Sequence, residues 1–144
     1  LAGGRHYIHI NANGDVEPCV FSHFTVDSIY NTSVRQVLAS PFFRELRDRT
    51  EEETRKNRLA PCNIIDHPHI LREAVIRHQA RPSHEGAETI ITTLSPVLAE
   101  LGQEYERLTQ TIFETEYQPW YELFQGKVRV SEPVREKTKE KSRS

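Results

Sequence analysis

The sequence predicts an α+β fold: an N-terminal β-hairpin with short helices, followed by a mostly α-helical C-terminal extension. Three observations carry that reading. A run of β-formers, His6-Tyr7-Ile8-His9-Ile10, leads through the turn signal Asn13-Gly14 and returns as Asp15-Val16-Glu17. Two X-Pro pairs, Ser40-Pro41 and His67-Pro68, stand where helices start, each followed by an apolar face. From about Glu85 onward, apolar residues recur at three- and four-residue steps as far as Phe113.

Taken in order, Asn13-Gly14 offers the positive-φ positions a tight turn needs, and Pro18 ends the ladder so that Cys19 projects from its end. Phe21 to Asn31 reads as a connection with Phe21, Phe24 and Tyr30 as aromatic anchors. Thr32 or Ser33 caps a short helix through Val34, Val37 and Leu38. Ser40-Pro41 restarts the helix with Phe42, Phe43 and Leu46 on its apolar face, and the charged run Asp48 to Arg58 is its exposed end. Pro61 stops any helix there. Asp66 or His67, with Pro68, opens the next helix, whose face is Ile70, Leu71, Ala74 and Val75, and Arg81-Pro82-Ser83 breaks it. Pro96 kinks the following helix or marks the first turn of a new one capped by Ser95. The stripe from Ile90 through Phe113 must be buried, and the aromatic end Tyr117, Trp120, Tyr121 and Phe124 is expected to pack onto a neighbour.

A net charge of -2 gives no electrostatic footprint for a nucleic-acid partner. From Lys127 to Ser144 seven basic residues outnumber three glutamates without apolar periodicity, which predicts a disordered, solvated tail over 127–144. Apolar runs stay far short of the roughly 20 residues that span a bilayer, and Leu1 to Arg5 has no signal-peptide pattern, so the expectation is a cytoplasmic protein with no membrane partner.

The candidate chemistry sits on two cysteines, Cys19 at the hairpin exit and Cys62 in a Pro-Cys pair. Cysteines on turns beside prolines are how small irregular folds offer thiolates to an iron–sulfur cluster. On count alone, two cysteines favour packed thiols or one disulfide, because such a cluster usually takes four. His6, His9, His23, His67 and His69 invite zinc, but their spacings suit it poorly: His6 and His9 point to opposite strand faces, and His67 and His69 flank a helix start. Asp15 and Glu17 share a strand face; the preferred reading has Asp15 bonding the turn backbone and Glu17 facing solvent, with no catalytic role. Asp66 is expected to accept from the first-turn amides of its helix. Gly3-Gly4-Arg5 is not a phosphate loop, since no strand precedes it.

The stretch AGGRHYIHINANGDVEPCVF, Ala2 to Phe21, with SVRQVLASPFFRELR (Ser33 to Arg47) and RLAPCNIIDHPHILREAV (Arg58 to Val75), resembles the C-terminal SPASM/twitch region of radical S-adenosylmethionine (SAM) enzymes. In that region a hairpin of the form I-N-x-x-G-D-V-x-P-C carries a ligand of an auxiliary [4Fe–4S] cluster. The resemblance implies that Cys19 and Cys62 are cluster ligands and that 1–80 is the cluster region. Residues 81–126 are then a helical packing extension. It further implies that Gly3 and Gly4 let the backbone approach the cluster, with Arg5 adding positive charge nearby. Family members carry a further cysteine immediately before Ala-Gly-Gly. The chain contains no methionine and no Cys-x3-Cys-x2-Cys motif, so the expectation is a fragment whose partner is a radical SAM barrel upstream on the same polypeptide, with SAM bound there. The rival expectation, from another class, is a non-catalytic helical interaction module in which the cysteines only pack.

Overall fold

A hairpin of two-residue strands opens the fold, β1 (His9–Ile10) pairing antiparallel with β2 (Val16–Glu17). The computed structural model describes residues 3–125, so the expected tail at 127–144 lies outside the described residues. Gly14 turns the hairpin with φ at 78°. The side chain that organises the turn is Asn11, whose Oδ1 accepts from the amides of Asn13 (2.9 Å) and Asp15 (3.0 Å). This is an Asx turn, and it replaces the expected pair of positive-φ residues with one.

The helices begin where the sequence marks them. Ser33 caps α1 (Val34–Leu38) in a capping box with Gln36, and Ser40 caps α2 (Pro41–Lys56), whose first residue is Pro41. His67 precedes α3 (Pro68–His78). Phe42, Phe43 and Leu46 of α2 meet Ile70, Leu71 and Ala74 of α3 in the core, joined there by Val16, Phe24 and Val37. At the rim of this packing Glu45 accepts from Arg49 (3.2 Å), Arg77 and the His78 ring (2.7 Å).

Several expectations are corrected. Phe24 is buried, but Phe21 and Tyr30 are largely in water and do not join the core. Phe24–Thr25, expected as part of a connection, is a strand, β3, and it pairs with β4 (Arg81–Pro82), expected as a helix break. Two-residue strands are too short to show alternation. Helix α3 instead ends at Gln79, left-handed at φ 52°. The run Asp48 to Arg58 is not wholly exposed, because Thr50, Thr54 and Asn57 are buried. Their polar atoms are partnered: Thr54 Oγ1 donates to the Thr50 carbonyl (2.6 Å), Asn63 Nδ2 to Thr50 Oγ1 (3.2 Å) and Asn57 Nδ2 to Thr109 Oγ1 (2.9 Å).

The extension starts later than Glu85. A short 3₁₀ turn (Ala87–Ile90) precedes α4 (Ser95–Ile112), in which Ser95 is the first helical residue rather than the cap. A π turn (Phe113–Tyr117) joins it to α5 (Gln118–Phe124). Pro119 has no N–H to give the carbonyl four residues back, and the π turn ends two residues before it. The expected burial is reversed on α4. Its inner face is Ser95, Gly102 and Thr109, while Leu94, Val97, Leu101, Tyr105, Leu108 and Ile112 point outward. Small and polar residues allow close backbone approach, so α4 docks by contact distance rather than by apolar bulk.

Candidate metal centre

Cys19 is positioned by the hairpin exit and by a loop that folds over it. Gly4, at φ 72°, donates its amide to the Tyr7 carbonyl (2.9 Å), closing a tight loop from Gly3 to Tyr7. A β-carbon on Gly3 would stand 2.9 Å from Cys19 Cβ and 3.2 Å from the Pro18 carbonyl, so only glycine lets this backbone lie against the cysteine. Arg5 does not face the site as expected; it pairs with Glu51 on α2.

Cys62 is held by the turn that follows it. Its amide donates to Asp66 Oδ2 (2.7 Å), and its carbonyl accepts from the amides of Asp66 (3.0 Å) and His67 (2.9 Å). Asp66 therefore fastens the Cys62 turn rather than the first turn of α3. The His67 ring, buried, pairs with the Ala60 carbonyl at 2.9 Å on the other side of Cys62.

Cys19 and Cys62 are both free thiols and line one cavity of about 120 Å³, walled by Gly3, Tyr7, Phe21 and Ile64. That is several times the roughly 10–15 Å³ a single water needs. Each sulfur accepts from the amide two residues on: Phe21 N to Cys19 Sγ at 3.4 Å, and Ile64 N to Cys62 Sγ at 3.5 Å. Amide donors at sulfur favour the thiolate and are the outer-shell groups that tune iron–sulfur sites. Burial in this apolar wall pushes the Cys19 thiol up. The amides of Phe21 and Ser22 pull it back, the neighbouring Cys62 raises it again, and a bond to the Tyr7 hydroxyl lowers it. Without a cation the thiol stays protonated at neutral pH, and a coordinated metal would remove its proton. Tyr7 is likewise raised, by burial first and by Cys19 second. The donor set fits an iron–sulfur group in kind and supplies two of the four sulfurs such a group usually takes.

The other candidates are committed elsewhere. The expectation that Glu17 faces solvent is corrected: it is 1% exposed. It accepts from His9 Nδ1 (2.9 Å) and Asn11 Nδ2 (3.1 Å). The Asp15 carboxylate, also buried, pairs with Arg81 (3.2 Å to one nitrogen) and accepts from Asn11 Nδ2 (3.5 Å), not from the turn backbone as expected. Sequence reasoning did not single out Tyr7 or Phe21 as walls of the site. The available signal was their proximity in sequence to Gly3-Gly4 and Cys19.

Residues 2–64 match the family model of SPASM, an iron-sulfur cluster-binding domain, and both cysteines lie inside the matched span. The similarity to this iron-sulfur cluster-binding domain is confined to residues 2–64 of the chain. No curated protein and no solved structure matches the chain. Among the described residues, no helix is long and apolar enough to cross a membrane.

Proposed function

We propose that Cys19 and Cys62 supply two ligands of an auxiliary [4Fe–4S] cluster, and that the chain is the C-terminal part of a radical SAM enzyme. The barrel that binds SAM stands upstream on the same polypeptide in this reading. Residues 1–80 form the cluster region and 81–126 the extension that packs on it. The observation that carries the proposal is the single cavity lined by two cysteines whose sulfurs each accept from the amide two residues on. A bound cluster supplies one-electron chemistry.

The chain's own residues have definite parts in this scheme. The Phe21 and Ile64 amides hold charge on the two sulfurs, Phe21 and Ile64 also limit water, and Gly3 permits close backbone approach. The scheme calls for no nucleic-acid or membrane partner and sets the protein in the cytoplasm, where thiols stay reduced.

Anaerobic reconstitution with iron and sulfide tests it, on the polypeptide that carries the upstream barrel. The expected result is loss of one cluster's share of the bound iron, sulfide and broad visible absorbance in a Cys19→Ala, Cys62→Ala variant whose circular dichroism is unchanged. Equal iron uptake by the variant and the parent overturns the ligand assignment. If the cysteines only pack in a helical interaction module, neither protein takes up iron at this site.

A further inference from the structure

The two sulfurs that share the cavity are not equally supported. Each accepts from the amide two residues on, but Cys19 has a further polar neighbour, the Tyr7 hydroxyl. The loop from Gly3 to Tyr7 brings it there. The Gly4 amide donates to the Tyr7 carbonyl at 2.9 Å, and Gly3 pairs with Tyr7 in a short parallel bridge. A β-carbon on Gly3 would stand 3.7 Å from the Tyr7 hydroxyl oxygen and 2.9 Å from Cys19 Cβ, so hydroxyl and cysteine crowd the same side of one glycine. The Tyr7 side chain walls the cavity while the residue stays 47% exposed, so the loop rather than core packing places its hydroxyl. The contact also has a direction. Burial is the larger cause at both residues, yet their contact raises the pKa of Tyr7 and lowers that of Cys19, the signs expected when the O–H donates and the sulfur accepts.

We infer that Tyr7 donates its hydroxyl hydrogen to the Cys19 sulfur of the loaded site and so raises the reduction potential of the group held there. The inference rests on the reading of Cys19 and Cys62 as cluster ligands. Reduction adds a negative charge that is shared with the ligating sulfurs, and a hydrogen bond is stronger to the more negative acceptor. A donor at Cys19 therefore favours the reduced form, one of the ways a protein sets the potential of an iron–sulfur site. A phenol keeps its proton at neutral pH and is fit for that part. Tyr7 acts through Cys19 and not on a reacting atom, so it is a positioning residue. The Phe21 and Ile64 donors are backbone amides; the Tyr7 hydroxyl can be deleted by a side-chain substitution.

Anaerobic redox titration, followed by visible absorbance, of the reconstituted polypeptide that carries the upstream barrel tests this. The step to follow is the one that the Cys19→Ala, Cys62→Ala variant lacks. Tyr7→Phe keeps the ring and removes the hydroxyl alone. It should bind as much iron and sulfide as the wild type and shift that step to a more negative potential. A monofluorinated tyrosine at position 7, a stronger donor of nearly the same shape, should shift it the other way at a pH where it keeps its proton. Tyr30→Phe, which alters an exposed ring at the hairpin turn, should leave it in place. A step at the wild-type potential in Tyr7→Phe overturns the inference and leaves the ligand reading intact. Shifts of the same sign in the phenylalanine and fluorotyrosine variants point to packing rather than donation and also overturn it. Loss of iron from Tyr7→Phe does the same, since Tyr7 would then be needed to hold the group rather than to tune it. If the double alanine variant lacks no step, the ligand reading itself falls, and this inference with it.

Discussion

Gly102 of α4 lies so close to Asp66 that a β-carbon on it would stand 2.5 Å from the Asp66 carbonyl oxygen and 2.7 Å from that of Ile65. Asp66 is the residue whose carboxylate receives the Cys62 amide. The helical extension thus rests directly on the turn that holds one of the two cysteines.

Replacing Gly102 by alanine should therefore cost stability, because backbone rather than a flexible side chain must give way. The expected loss is about 1–3 kcal/mol, the usual size of an overpacking penalty. Chemical denaturation of the variant against the wild type measures it. An unchanged midpoint would mean that α4 does not dock through this glycine.

Gly14→Val should lose about 1–2 kcal/mol from the left-handed backbone alone. The added side chain would also meet the Tyr30 ring at 2.5 Å, but that ring is exposed and can swing aside. Thermal denaturation reads the effect. A Tyr30→Ala, Gly14→Val double variant should remain as destabilised as the single one, since the strain lies in the backbone.

Much of this could be read from the sequence, and the failures share a cause. Ser33, Ser40 and Pro41 mark helix starts because caps are local, and the β1–β2 hairpin shows because its turn residues are adjacent. The Asp15–Arg81 pair and the β3–β4 pairing join segments far apart in the chain and leave no local period. Glu17 was misread as exposed because burial of a carboxylate depends on its partners His9 and Asn11, which no hydropathy pattern encodes. The α4 stripe was legible as a stripe, but which side of the helix meets the body is decided by Gly102 and Thr109. The two cysteines stood out early; their common cavity depends on the tertiary path of α2, which brings the Cys62 turn back to the hairpin.

His23 gives a pH dependence. Its backbone is left-handed at φ 53°, and its ring stands 4.5 Å from that of His84 in an edge-on contact. Burial first, and the charge of His84 second, hold its pKa below the ordinary 6.5. A histidine lowered in the folded state binds fewer protons there than when unfolded, so its contribution is present above about pH 6.5 and is lost as pH falls below it. The thermal midpoint should drop on acidification, and His23→Asn, which tolerates the left-handed backbone, should flatten that part of the curve. An identical slope in the variant would remove His23 from the account.

Cys19 should react slowly with iodoacetamide in the metal-free protein. Because burial raises its thiol above the ordinary value of 9.0, the half-maximal rate in a Cys62→Ser variant should fall at a higher pH than for an unhindered cysteine. Iron and sulfide added under anaerobic conditions should protect it further. A rate at pH 8 equal to that of a short peptide thiol would contradict the buried setting.

The bond between Asp15 and Arg81 has a consequence for the order of events during synthesis. When the ribosome has released the hairpin and even the Cys62 turn, the cation that answers the buried Asp15 carboxylate has yet to be added to the chain. The β3–β4 pairing, Phe24 with Pro82, waits for the same residues. Contacts between such distant segments form late, since the loop between them must close before they repay its entropy. A nascent chain halted before residue 81 would therefore hold both thiols beside a hairpin whose buried Asp15 carboxylate still lacks its Arg81 partner.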